Sequence, residues 1–266
     1  MDGKINISEF YKGLDVMFQR KNKAETMQYM EKWLRDAELR NDTSGIVAVS
    51  NELGGLCRAT GEIDRAKKLY RTVLEQLERM GLSGSEHYAT ALINAGDVYV
   101  NSGELGEAQR LFLQARVLLV ECGLAGDYRM AALNNNISMV YRQTGEFDKA
   151  EQALDIAFNI IKGLPECRGE LATTYINLGE LQVRQNKLEM AKESFLSACR
   201  MFEEDGGIDV HYSSACAGLA QVYYLKGEKQ EAIRLYEKAM ALIERDFGKT
   251  EYYRLIEQNL AKVKGF

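Results

Sequence analysis

The chain has 266 residues, a formal net charge of −5 and a single proline, with 46% of its residues apolar and 27% charged. That length is ample for a substantial buried core, and the acidic balance argues against a surface built to neutralise nucleic-acid phosphates. So few helix breakers among so many apolar and charged residues predict a mostly helical chain built from amphipathic helices.

The five cysteines, Cys57, Cys122, Cys167, Cys199 and Cys216, are odd in number and form no CxxC pair. They are expected to be reduced core residues, with no metal site and no cofactor. The opening MDGKINISEF lacks the basic and apolar regions of a secretory signal. No uncharged run approaches the roughly 18 apolar residues of a membrane span. A cytoplasmic protein without membrane or nucleic-acid partners is the expectation.

In chain order, helices are predicted at about 6–20 and 23–40, 44–60 and 62–80, 85–101 and 104–122, 127–143 and 146–162, 167–185 and 188–204, 210–226 and 228–246, and finally 250–263. A period unites them. Gly61-Glu-Ile-Asp-Arg-Ala66 recurs as Gly103-Glu-Leu-Gly-Glu-Ala108, Gly145-Glu-Phe-Asp-Lys-Ala150, Asn186-Lys-Leu-Glu-Met-Ala191 and Gly227-Glu-Lys-Gln-Glu-Ala232, the alanines lying 42, 42, 41 and 41 residues apart. Counting 42 residues back from Ala66 gives Ala24, an eroded copy in which Lys12 stands where close packing wants a small residue. This first hairpin, residues 1–42, also carries Phe10, Tyr11 and Phe18, which read as exposed. It is expected to be a modified cap or a surface for homo-oligomer formation.

Each column of the repeat has a physical reason. Four residues after the alanine comes a large side chain (Tyr70, Phe112, Leu154, Phe195, Tyr236), and three further on a mostly small one (Val73, Ala115, Ala157, Ala198, Ala239), the spacing of one buried helical stripe. Twelve residues before it stands Gly54, Gly96, Ser138, Gly179 or Ala220, where two helices must approach closely. The glycine or Asn186 five residues before it suits a left-handed helix cap. Links between hairpins contain Gly81, Gly123, Gly163 and Gly206-Gly207, and none reads as a domain linker. Residues 43–248 thus form five clear repeats, 249–266 a capping helix showing Glu251, Arg254, Glu257 and Lys262 to water, and 1–266 a single array.

These columns, with the aromatics Tyr99, Tyr141 and Tyr223, resemble the tetratricopeptide repeat. The long period, and runs such as Leu133-Asn-Asn-Asn-Ile-Ser-Met-Val-Tyr141, are similar to the subclass found in kinesin light chains. The resemblance implies an all-α fold, a right-handed α-α superhelix of about six helical hairpins plus a C-terminal capping helix. It also implies an inner trough lined by the first helix of each hairpin, and a binding rather than catalytic role.

On those first helices, two residues before each small position, lie Glu52, Asn94, Asn136, Asn177 and Gly218, with Asn259 at the same register in the cap. An exposed helix does not favour asparagine, so its recurrence points to a role for the carboxamide, which donates and accepts at once and so can hold the main chain of a peptide ligand. The resemblance assigns that role to Asn94, Asn136 and Asn177. The alternative is that the amides tie adjacent first helices together. Other inward phases hold Asn51, Thr90, Asp97, Asn101, Asn135, Arg142, Glu180, Arg184 and Gln221, of mixed sign. The lysines of the family's carboxylate clamp are missing, since Ala48, Thr90, Ala132, Thr173 and Ser214 occupy the comparable places.

His87 and His211 start first helices three hairpins apart, so packing or capping explains them better than general-base catalysis. No nucleophile elbow, phosphate loop or HExxH pair is present in the sequence. The expected function is that of an adaptor or scaffold taking a protein or peptide partner. A peptide-responsive regulator and a self-assembling structural array are the alternatives.

Overall fold

The computed structural model describes residues 3–20, 22–204 and 211–265. Among them are thirteen α-helices: α1 (Ile7–Gln19), α2 (Lys23–Leu39), α3 (Thr43–Thr60), α4 (Ile63–Arg79), α5 (Glu86–Asn101), α6 (Leu105–Glu121), α7 (Tyr128–Gln143), α8 (Phe147–Ile161), α9 (Arg168–Arg184), α10 (Leu188–Glu204), α11 (Tyr212–Leu225), α12 (Lys229–Phe247) and α13 (Glu251–Lys264). A single 3-10 turn, Pro165–Cys167, precedes α9, with proline at its first position. The predicted Gly206-Gly207 link and the predicted helix start at 210 lie outside the described residues. The helices fall into two compact units, Met1–Ala125 with α1 to α6 and Gly126–Phe266 with α7 to α13.

Within each unit, consecutive helices pack as antiparallel pairs, and the first helices also lie side by side, α3 beside α5 and α7 beside α9 beside α11. The hairpin turns follow from the left-handed caps: Gly61 has φ +83° and Asn186, the one non-glycine copy, has φ 59°. Glycine enters this region without penalty, and asparagine tolerates it better than most residues. The second helices bury the predicted stripe, with Ala66, Ala108, Ala150, Ala191 and Ala232 fully covered and Phe112 and Phe195 among the largest fully buried side chains. Burial of each such ring is worth about 1.5–3 kcal/mol.

The small column is a steric requirement. A Cβ on Gly96 would lie 2.4 Å from the Phe112 ring, and one on Gly179 would lie 2.8 Å from that of Phe195. The first hairpin obeys the same rule one residue later than the count from Ala66 places it. Gly13 faces Tyr29, which a Cβ would meet at 2.0 Å, and their separation of 16 residues is that of Gly54 from Tyr70. Lys12 is therefore not the close-packing position, and Thr26, buried and fourth in α2 as Ala66 is fourth in α4, rather than Ala24, takes the place of the repeat alanine. Phe10, expected to be exposed, is fully buried. It lies beside Tyr29 and Trp33, with centroids 6.0 and 5.9 Å away, while Tyr11 and Phe18 are exposed as expected. Periodicity alone misplaces Phe10 because the register of this copy has slipped.

The cysteines are unpaired as disulfides, and Cys57, Cys167, Cys199 and Cys216 are buried. Cys122 departs from the expectation of a core residue: it is only partly buried at the end of α6, where its thiol donates to the Gly84 carbonyl at 3.4 Å. On α13, Tyr253, Ile256, Leu260 and Val263 are buried and Glu251, Arg254, Glu257 and Lys262 exposed, the division of an amphipathic terminal helix. Among the described residues, no helix is long and apolar enough to cross a membrane.

Candidate functional site: the first-helix face

In the first unit, the chain ahead of α1 is pinned to the start of α3. The Ile5 N–H donates to the buried Asp42 carboxylate at 2.9 Å, and the Arg40 guanidinium donates to the Lys4 carbonyl at 3.2 Å. This fixes α1 so that Ile7 and Tyr11 form one wall of a cleft of about 480 Å³. Ser44, Val47, Ala48 and Asn51 of α3 and His87, Thr90 and Ala91 of α5 line it from the first-helix face, with Val73 and Leu77 of α4 and Met80 just past its end behind them. The space exists because small side chains, Ala48 and Ala91, stand where the helix spacing of α3 and α5 would admit larger ones.

The predicted asparagines meet at the edge of this cleft. Asn94 Nδ2 donates to Asn51 Oδ1 at 2.9 Å, joining α5 to α3, and Asn51 Nδ2 donates in turn to Glu52 Oε1 at 3.4 Å. The second unit repeats the device independently. Asn177 Nδ2 donates to Asn135 Oδ1 at 3.2 Å, and Asn135 Nδ2 donates to Thr174 Oγ1 at 2.9 Å, clasping α7 to α9 from both sides of one amide. The carboxamides thus tie adjacent first helices together, the second of the two roles open to them. Each inter-helix bond uses one of the two N–H groups that Asn94 and Asn177 carry. The acceptors, Asn51 and Asn135, come from the position one residue before the recurrent column, which the count of that column does not reveal.

Replacing Asn94 or Asn177 by alanine is expected to destabilise its unit by about 1 kcal/mol. A double-mutant cycle of Asn51→Ala with Asn94→Ala, followed by chemical denaturation, should show positive coupling; strictly additive losses would mean the bond contributes nothing.

The remaining predicted positions divide. Arg142 pairs with Glu180 across α7 and α9, an intramolecular use of both residues. Asn101, Arg184 and Gln221 are exposed, and Asn136 and Asn259 are partly buried. At Gly218 the asparagine column is interrupted for a steric reason, since a Cβ there would lie 2.3 Å from the Phe195 ring.

The electrostatics concentrate beside the cleft. Burial pushes the Glu52 carboxyl up, opposed by its bond from Asn51. The Tyr11 hydroxyl is raised by burial and by Glu52. Asp97, one turn beyond Asn94 on the same face of α5, is pushed up to about 6 by burial, with Arg58 acting the other way. The Tyr70 hydroxyl donates to the Asn51 carbonyl at 3.2 Å and lies within electrostatic reach of Glu52, Asp97 and Arg58.

For Asp97, the folded chain retains a proton that the unfolded chain has already lost, over the range from the ordinary carboxylate value of 3.8 to about 6. Stability from this group is therefore present at low pH and is lost as pH rises through about 6. Asp97→Asn is expected to stabilise the first unit above that pH by on the order of 2 kcal/mol, with the gain vanishing near pH 4. Thermal melts of both chains across this range test it, and a pH-independent difference would refute the assignment.

Comparison with known proteins agrees with this architecture. The tetratricopeptide repeat model TPR_12 matches residues 45–116 and 129–204, and a second tetratricopeptide repeat model, TPR_7, matches 215–250. The chain belongs to the tetratricopeptide repeat family, a family of protein-interaction scaffolds. A search of curated proteins finds no match.

Among solved structures, Rap protein complexed with Competence and Sporulation Factor aligns with a TM-score of 0.80 at 17% identity, covering 97% of this chain and 69% of that one. NprR in complex with its cognate peptide NprX aligns at 0.78 and 15% identity, covering 98% and 74%. Nearly identical TPR-like repeats of kinesin light chain type from Podosopora anserina align at 0.57 and 17% identity, covering 74% and 93%. At these identities the likeness is one of fold, and it includes the kinesin-light-chain type of repeat expected from the sequence.

Sequence reasoning missed the cleft itself. Val73 reads as part of the buried stripe, and nothing in its spacing shows that the space beside it is left open. The one local signal is Ala48 at the start of the groove, where the family's clamp has a cation.

Proposed function

We propose that the protein binds a peptide segment of a partner along the first-helix face of its first unit, as an adaptor or scaffold. The observation that carries this reading is the cleft of about 480 Å³ between α1, α3 and α5, apolar over most of its lining and bounded by the Asn51–Asn94 pair. A largely preformed apolar recess with a few placed polar groups is what a ligand side chain needs for burial and orientation. The amide bond between α3 and α5 holds the two walls in register before a ligand arrives, which lowers the ordering cost of binding. Structural likeness to NprR, solved with its cognate peptide, supports a peptide as the ligand class.

The test is selection from a random peptide display library on the full chain, followed by affinity measurement on the Ala48→Trp variant, whose indole would occupy the cleft. With an unchanged melting temperature, selected peptides should lose about tenfold or more in affinity. Undiminished binding would place the site elsewhere.

A further inference from the structure

The second unit holds a cluster of nucleophilic and titratable side chains apart from the first-helix face. Cys199 on α10 and Cys216 on α11 are buried in one apolar core, and their thiols are hydrogen-bonded to each other, Cys199 donating. They stand 17 residues apart in the sequence, one on each of two helices packed side by side. Among the described residues, no other cysteine has a second thiol as its partner. Burial is the foremost influence on Cys57 and Cys167, and Cys122 donates to a main-chain carbonyl.

A fixed cation stands near the pair. Lys238 of α12 donates to Glu203 Oε1 at 2.9 Å and to the Tyr212 hydroxyl at 2.5 Å, and that hydroxyl donates to the same glutamate oxygen at 2.5 Å. This triangle, drawn from α10, α11 and α12, keeps the ammonium within electrostatic reach of Cys216. The Cys216 thiol is held below its ordinary range, foremost by the bond from Cys199 and further by Lys238 and Arg234, against burial and Glu203. The thiolate is the nucleophilic form of cysteine.

We propose that Cys199 and Cys216 are an oxidisable dithiol, which hydrogen peroxide closes to a disulfide joining α10 to α11. The Cys216 sulfur attacks one peroxide oxygen; the S–O bond forms, the O–O bond breaks, and hydroxide leaves as water with the proton that Cys216 released. The Cys199 sulfur then attacks the Cys216 sulfur; the S–S bond forms, the S–O bond breaks, and a second water carries off the Cys199 proton. Two thiols lose two electrons, and one peroxide becomes two waters. Peroxide, close to water in size, enters through local opening of the helices, and the cross-link then restricts that opening. A dithiol reductant reverses the reaction by exchange.

The experiment is a hydrogen peroxide titration of the full chain at a temperature where its circular dichroism is unchanged, followed by alkylation and peptide mapping without reductant. The exposed Met190 reports the oxidant dose through its sulfoxide. Cys199 and Cys216 should be recovered as one cross-linked pair that dithiothreitol releases, while Cys57 and Cys167 remain thiols. In Cys199→Ala, Cys216 should stop at the sulfenic acid and be trapped by dimedone; in Cys216→Ala, Cys199 should remain a thiol. Amide exchange in α10 and α11 should slow on oxidation of the wild type.

The wild-type map depends on no variant folding. Recovery of Cys199 and Cys216 as thiols when Met190 is fully oxidised would overturn the proposal, as would a disulfide from either of them to another cysteine. Unchanged exchange in a chain mapped as cross-linked would overturn the restraint on α10 and α11.

Discussion

Phe195→Ala is expected to cost the second unit about 4 kcal/mol, the range for removing a fully buried aromatic side chain that leaves a cavity. The ring is 1% exposed. It is clasped between two glycines on different helices: a Cβ would approach it to 2.8 Å from Gly179 of α9 and to 2.3 Å from Gly218 of α11. With no side chain on either glycine to relax into the space, collapse around the missing ring requires movement of two helix backbones. Because repeats depend mainly on their neighbours, the loss should appear locally. Amide hydrogen exchange should accelerate in α9 to α11 and remain unchanged in α3 and α4. Uniform acceleration along the chain would show that the repeats are coupled more tightly than nearest-neighbour packing allows.

The converse substitution, Gly218→Asn, restores the asparagine column in α11 and is expected to destabilise by about 3 kcal/mol. The ring of Phe195 cannot rotate away from the new side chain, since Gly179 already bounds its other side. The two substitutions should therefore fail to add. In a Phe195→Ala background the vacated volume accepts the asparagine, and Gly218→Asn should cost far less than in the wild type. Equal cost in both backgrounds, measured by chemical denaturation, would mean the contact is not what excludes asparagine.

These two cases also show what the sequence discloses and what it does not. Helix positions were legible because the alanine, the large residue four positions on and the small residue twelve positions back recur together, and each recurrence reports a real contact. Gly96 with Phe112 and Gly179 with Phe195 are examples. The slip in the first hairpin was hidden because the count was anchored on Ala66, whereas the packing is anchored on Gly13 and Tyr29.

At the candidate site, the sequence picked out Asn94 and Asn177 through the improbability of asparagine on an exposed helix. The bonding partners Asn51 and Asn135 lie at a different phase, fixed by how neighbouring helices are offset. That offset is a property of packing between repeats, and no periodicity within one repeat encodes it. The same holds for the cleft, whose emptiness depends on α1 being held over α3 by Asp42 and Arg40.

Glu52 and Asp97 illustrate a further limit. Asp97 was one inward residue among many of mixed sign, and Glu52 registered only as a gap in the asparagine column. Their burial beside one amide pair distinguishes them from the exposed Asn101, Arg184 and Gln221.

The proposal that this face receives a peptide is tested most directly by hydrogen exchange of the full chain with and without a display-selected peptide at saturating concentration. Slowed exchange in α1, the first turns of α3 and the first turns of α5 is the expected result, because those segments line the cleft. Slowed exchange confined to the second helices, or to α7 to α13, would contradict it.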